Sequence, residues 1–486
     1  KPKQPVTPTA IAIAFLLYTV LLFVISSITS RKADNQSFFI GNKASPWMVV
    51  AYGMIGASLS GVTFISVPGW VRDSQFSYLM VVFGYLLGYA AIAGVLLPLY
   101  YRMNLTSIYT YLGERFGFWS YKMGALFFLF SRFIGSSLRM YLVVSVLQVF
   151  VFDAWGLPFA ATASLFILLI LLYTFRGGIK TIVWTDTLQT TFMLSAVILT
   201  VWLISREMGE PLMSLMQKVK ESEFSKVMIT DWQDRNHYLK QFFSGAFIAI
   251  VMTGLDQDMM QKNLSCRSLK GAQKNMITLS ITLVFVNLLF LSLGALLYIY
   301  AAHLQIDIPS QSDELYPLIA LRYLSPLAGI VFVIGLISAA YSSADSALTA
   351  LTTSISLDFL RLDHSGKSPA QKQLIRRMVH IGVAAVVLGI ILIFSVLNNK
   401  AVIQEVFTIA GYTYGPLLGM FTFGIFSSWK IKDRWVPLAV VSAPLICYVL
   451  SLNSIRWFGG YVFGFELLIL NGLITFLLLW LIRQRG

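Results

Sequence analysis

Apolar runs of about 20 residues recur along the whole chain, separated by short polar loops. Wound as a helix, a run of that length matches the hydrocarbon thickness of a bilayer, about 30 Å at about 1.5 Å per residue. The runs fall at 9–29, 46–70, 77–101, 118–150, 157–175, 181–205, 240–259, 273–302, 325–356, 377–397, 402–427, 435–453 and 462–482. That makes about 13 predicted transmembrane helices. Lipid offers the backbone no hydrogen-bond partner, so each run must close its own bonds as a helix. A barrel strand would alternate apolar and polar residues instead, and no such alternation is visible. The predicted fold class is an all-α polytopic membrane protein. Composition bears on the same point: 57% of residues are hydrophobic and only 12% charged. That is too little charge to cover the surface of a soluble chain of 486 residues.

The basic residues are not scattered. Alternate loops carry Arg31/Lys32/Lys43, Arg102/Arg115/Lys122, Arg176/Lys180, Lys262/Arg267/Lys270/Lys274, Arg361/Lys367/Lys372/Arg376/Arg377 and Lys430/Lys432/Arg434, and the tail adds Arg483 and Arg485. The opposite short loops carry only Arg72, Lys400 and Arg456. Positive charge marks the cytoplasmic side, so the N-terminus is expected outside and the C-terminus inside. The first run reads as a span rather than a cleavable signal, because it is long and is followed by Arg31 and Lys32. The formal charge of +14 is then topological, with lipid headgroups as its partner and no need of nucleic acid. The segment 206–239 reads as an extracytoplasmic loop with a short surface helix.

Two spans are interrupted by small and polar residues. "GMIGASLSGVTF" (53–64) places Gly53, Gly56 and Gly61 with hydroxyls in mid-membrane. Five spans later, the run 240–259 is interrupted near Ser244-Gly245 and Thr253-Gly254. Interrupted helices at corresponding places in two five-helix halves are the mark of an inverted-repeat transporter. Freed carbonyls and hydroxyls make a hard oxygen cage suited to Na⁺. Glycines also line helix packing faces, and the break alone does not separate the two readings.

A second polar feature is the span "GLISAAYSSADSALTALTTS", where Ser338, Ser342, Asp345, Ser346, Thr349 and Thr353 recur at helical spacing, with Ser343 beside them. Small hydroxylated residues serve as glue between helices. A carboxylate such as Asp345 within a span is costly and needs a cation or donors. Asp186, Gln189 and Thr190 share a face of another span. Asp186 can pair with a loop lysine or complete a cation site with the serine stripe. Cys266 and Cys447 suggest no disulfide framework, and the four histidines fall at span edges or in loops. With no nucleophile–base pair and no ligand cluster of metal spacing, the chain does not read as an enzyme.

Four stretches in order, "GGIKTIVWTDTLQ", "GLDQDMMQKNLS" (254–265), "SAAYSSADSAL" (338–348) and "AGYTYGPLLGMFTFGIF" (410–426), resemble the signatures of the sodium/solute symporter family. In pattern the chain is most similar to its bacterial sodium-coupled sialic acid and sugar transporters. The resemblance implies a LeuT-like 5+5 inverted repeat. Segment 1–45 would be an extra N-terminal helix and loop, 46–205 the first repeat and 240–427 the second. Segment 428–486 would hold two peripheral C-terminal helices. It assigns a main sodium site to the carbonyls of Gly56, Leu59 and Ala339 and the hydroxyls of Ser342 and Ser343. It places a second sodium site at Asp186, Ser342, Asp345 and Ser346, where those transporters carry serine in place of Asp345. One or two coupling Na⁺ ions follow, with a proton carried by Asp345 or Asp186 as the alternative to the second.

For the substrate, the resemblance points to Ser60, Thr63 and Arg139. Arg132 and Arg139 lie two turns apart on roughly one helix face. Arginine offers a planar fork that matches a carboxylate. The matching positions for polyol contacts look apolar here, at Val82 and Met252. The expected function is sodium-coupled import, by alternating access, of a small carboxylate-bearing solute, an anionic sugar acid such as sialic acid. A sodium-coupled sugar, polyol or monocarboxylate symporter is the alternative within the class, and an ion channel the alternative outside it. The expected setting is the bacterial inner membrane, with the protein working as a monomer.

Overall fold

A computed structural model describes residues 7–29, 38–39, 41–397 and 402–484, without the side chains of 176, 177, 180 and 402–405. Arg31, Lys32, Lys400 and Arg485 of the charge pattern lie outside the described residues, as do the side chains of Arg176 and Lys180. Each predicted span contains a helix. In chain order these are α1 (Pro8–Thr29), α2 (Trp47–Leu59), α3 (Gly61–Ser74), α4 (Tyr78–Ala91), α5 (Phe118–Leu147), α6 (Phe159–Phe175) and α7 (Thr181–Met208). After a surface helix, α8 (Leu212–Glu221), come α9 (Tyr238–Ala249), α10 (Gln257–Leu264), α11 (Leu269–His303) and α12 (Pro326–Ser354). The last four are α13 (Pro369–Leu397), α14 (Val402–Phe426), α15 (Val436–Leu452) and α16 (Leu467–Leu481). Among the described residues 8 continuous helical stretches are long and apolar enough to cross a membrane, or 9 with one bent pair counted as a span. No strand forms among them; three isolated bridges tie loops together.

Burial sorts the helices. The apolar window of α12 is 78% buried, against 28% for α1 and α13. The serine-rich span is therefore the centre of the bundle, and α1 and α13 are its lipid-facing flanks. Small residues let α12 sit there, packed on α2, α5, α6 and α7. The surface helix α8 covers the bundle with Leu215 and Val219 and keeps its charges outward.

Both predicted interruptions exist, beside Gly61 and at Thr253-Gly254, but not at Gly53, Gly56 or Ser244-Gly245. Between α2 and α3 the helix breaks at Ser60 (φ 21, ψ 172), while Gly53 and Gly56 stay helical and Gly61 starts α3. Gly56 serves packing: a Cβ there would stand 2.3 Å from Thr190 Oγ1, which accepts a 3.0 Å bond from the Gly56 N–H. The second interruption lies at the end of α9. A wide helical turn (Ile250–Gly254) leads to Asp256, and α10 departs at 66°. Nothing breaks at Ser244-Gly245. That glycine lets α9 touch α4, since a Cβ would meet the Val81 carbonyl oxygen at 2.0 Å. The cause of the real break is Asp256, whose side chain caps α10 by accepting from the N–H groups of Asp258 (3.0 Å) and Met259 (3.3 Å).

Of the histidines, His380 is drawn into the bundle. It is buried on α13, 2.9 Å from Thr174 Oγ1 and 2.7 Å from Thr352 Oγ1. An imidazole between two hydroxyls satisfies both ring nitrogens without water, so it fits inside the bundle.

Candidate functional site

The hydroxyl stripe on α12 divides by partner. Ser338 donates to the Ile334 carbonyl at 2.7 Å, and Thr353 donates to the Thr349 carbonyl at 2.8 Å. Ser343 donates to the carbonyls of Ala339 (3.2 Å) and Ala340 (3.1 Å). These hydroxyls donate within their own helix, and Thr353 also accepts from Gln261 Nε2 of α10 at 2.8 Å. Ser342 differs: it reaches α7 and donates to Asp186 Oδ1 at 2.7 Å.

The five residues of the expected main sodium site come from two elements that pack together, the end of α2 and the middle of α12. Gly56, Leu59, Ala339, Ser342 and Ser343 are all buried. The Gly56 carbonyl accepts the Ser60 N–H at 3.2 Å. A carbonyl oxygen has two lone pairs, so one acceptor position remains. Carbonyls and hydroxyls at a helix break form a neutral, hard donor set for a monovalent cation.

Asp345 and Ser346 sit one turn along the same stripe, and Asp186 of α7 meets it through Ser342. Asp345 Oδ2 accepts from the Tyr173 hydroxyl at 2.8 Å, and Ser346 lies 3.3 Å from Oδ1. Asp186 has a charged partner. Lys262 Nζ of α10 is 2.7 Å from Asp186 Oδ2, and both side chains are only 1% exposed. The pairing with a loop lysine that the sequence left open is thus the arrangement found. Sequence reading did not single out Lys262, because it counted as topology charge. The α10 bend turns it inward.

A cavity of about 100 Å³ opens between the two broken spans. Ser60 and Thr63 of the first break line it, with Arg132 and Arg139 of α5, Met252 and Thr253 of the second break, and Tyr78, Tyr85 and Tyr89 of α4. All three residues expected to contact substrate therefore meet in one place, and the tyrosines were not expected. Val82 is fully buried behind the wall. The two arginines are differently placed. Arg132 lies between Asp258, in close contact, and Asp256 Oδ2 at 3.7 Å, and the Tyr414 hydroxyl donates to Asp256. Arg139, partly exposed in the cavity, has no carboxylate within 4 Å among the described residues. A guanidinium in a span normally finds an anion. One arginine here is paired with carboxylates and the other is not, among the described residues.

The comparisons agree with this architecture. The chain is 24% identical over 474 residues to the sodium/sialic acid symporter SiaT of Proteus mirabilis, covering 96% of this chain and 94% of that protein. It is 21% identical to the sodium/sialic acid symporter NanT of Aliivibrio fischeri, covering 92% and 88%. A solved structure of a Na⁺-coupled sialic acid symporter in a substrate-bound outward-open state superposes with a TM-score of 0.83. That match has 19% identity and covers 98% of this chain and 99% of that one. The fold is thus shared end to end, extra first helix and C-terminal helices included. The pattern of the sodium:solute symporter family matches residues 38–432, and the chain belongs to that family.

Proposed function

We propose that this protein imports an anionic sugar acid of the sialic acid type together with Na⁺. The family is one of sodium-coupled carriers, so the chain is a membrane transporter and not an enzyme. The observation that carries the substrate reading is Arg139, a cavity arginine without a carboxylate partner among the described residues, beside Arg132, which has two. Its planar fork matches a carboxylate. Ser60 and Thr63 supply donors and acceptors for hydroxyl or amide groups. The two relatives named for sialic acid support the same reading.

Sodium binds at the carbonyls of Gly56, Leu59 and Ala339 and the hydroxyls of Ser342 and Ser343. That cage includes the end of α2, next to Ser60 and Thr63, so an ion that orders the break also orders the substrate wall. Binding of the two is thereby linked, each favouring the conformation the other needs. The two repeats, 46–205 and 240–427, then rock around the site and expose it to the other side. A potential of 100 mV contributes about 2.3 kcal/mol per charge moved inward. The basic loops orient the N-terminus outward and the C-terminus to the cytoplasm of a bacterial inner membrane, in a protein that functions as a monomer.

The test is uptake of N-acetylneuraminic acid into proteoliposomes. An inward Na⁺ gradient should drive accumulation, and an equal K⁺ gradient should not. Transport of a neutral sugar in preference to the acid would replace this reading with a sugar symporter. Flux that does not saturate and is not coupled to solute would replace it with a channel.

A further inference from the structure

Outside the cavity, Asp186, Asp345 and Lys262 form a group of charges that are each no more than 1% exposed. Around them stand oxygen donors from three helices: Ser342 and Ser346 on α12, Tyr173 on α6, and Asp186 itself on α7. Carboxylates and hydroxyls together are the ligand set of a hard cation. A cation is already in place. It is the Lys262 ammonium, 2.7 Å from Asp186 Oδ2, delivered by α10 on the far side of the 66° bend.

We infer that the Lys262 ammonium is the resident cation of this second seat, so that a single sodium, bound at the Gly56–Ser343 cage, accompanies each solute. The inference rests on the sodium-coupled reading above. Both oxygens of Asp186 are engaged, Oδ2 by Lys262 and Oδ1 by Ser342. A sodium ligated by Asp186 would have to share that carboxylate with an ammonium. Two like charges side by side in a buried, low-dielectric interior repel strongly, so one displaces the other. Asp345 is served otherwise, by donation from Tyr173 and Ser346 to its two oxygens. The tether also decides which cation wins. Lys262 is held at its site by the chain, whereas sodium must be bound from solution and dehydrated. The seat thus neutralises Asp186 permanently and carries no ion across the membrane.

The experiment is a balance of gradients with the purified protein in proteoliposomes and N-acetylneuraminic acid as the probe. The membrane potential is clamped at zero with K⁺ and valinomycin, and pH is equal on both sides. A tenfold inward Na⁺ gradient then accumulates the acid about tenfold if one sodium moves and about a hundredfold if two move, since the ion terms multiply. About tenfold is expected. In Lys262→Gln the emptied seat needs a new cation, so the Hill coefficient for Na⁺ should rise from near one toward two. Lys262→Arg should leave it near one. Hundredfold accumulation by the unmutated protein overturns the inference, as does an unchanged Hill coefficient in folded Lys262→Gln protein. If Lys262→Gln does not fold, the gradient measurement decides alone. A complete lack of Na⁺-driven accumulation is a different result. It overturns the sodium-coupled reading and this inference with it.

Discussion

Consider Arg139→Ala and Arg132→Ala made in parallel. The two side chains line one cavity from one helix, two turns apart, yet they meet different partners. Arg139 has no carboxylate within 4 Å among the described residues, so its loss breaks no ion pair among them. With an acid bound, a guanidinium fork makes two charged hydrogen bonds of about 1.5–3 kcal/mol each. Arg139→Ala should therefore weaken the acid by at least about 3 kcal/mol, more than about a hundredfold in Kd. A neutral amide analogue offers the fork one acceptor in place of two and no opposite charge, so it should lose clearly less, about ten- to a hundredfold. Arg139→Lys keeps the charge without the fork and should fall between.

Arg132 is 7% exposed, and Asp256 and Asp258 beside it are 0% and 2% exposed. Its removal leaves buried carboxylates uncompensated, a cost of about 3–5 kcal/mol to the fold. Calorimetry of acid and amide in saturating Na⁺, with thermal melting in detergent, reads both effects. Equal losses for acid and amide in Arg139→Ala would refute the reasoning. So would an Arg139→Ala protein that melts as early as Arg132→Ala.

Ser342→Ala and Ser343→Ala should each raise the Na⁺ concentration for half-maximal uptake about tenfold or more, from the loss of a bond to a charge worth about 1.5–3 kcal/mol; unchanged sodium activation in both would remove the assigned cage. Gly56→Ala should abolish uptake, because its Cβ would stand 2.3 Å from Thr190 Oγ1. Adding Thr190→Ala removes that oxygen and should restore part of the activity; no recovery would mean that the glycine acts in some other way. Burial pushes the Cys266 thiol up to about 12. The thiolate is the reactive form, so N-ethylmaleimide should leave Cys266 unlabelled at neutral pH in folded protein and label it after denaturation, as read by mass spectrometry. Labelling of the folded protein at pH 7 would contradict that burial.

Features that depend on local chemistry are legible along the chain. Lipid forces apolar runs into helices, so every span could be located, and each expected one holds a helix. The stripe from Ser338 to Thr353 followed from helical spacing, and it lies on the most buried span. The gathering of Ser60, Thr63 and Arg139 came from family resemblance, and all three line one cavity. Only tertiary structure decided how the charges pair. Arg132 and Arg139 are chemically identical and on one helix, and what separates them is where α10 brings Asp256 and Asp258. Lys262 looked like one more cytoplasmic charge, yet it is 1% exposed against Asp186, 76 positions away in the chain. Such long-range pairing leaves no periodic trace in sequence. It depends on the angle at a helix break, and that angle is set by the packing of the whole bundle. The glycines follow the same logic: Gly56 and Gly245 read locally as breaks, but the helices pressed against them make them contact points.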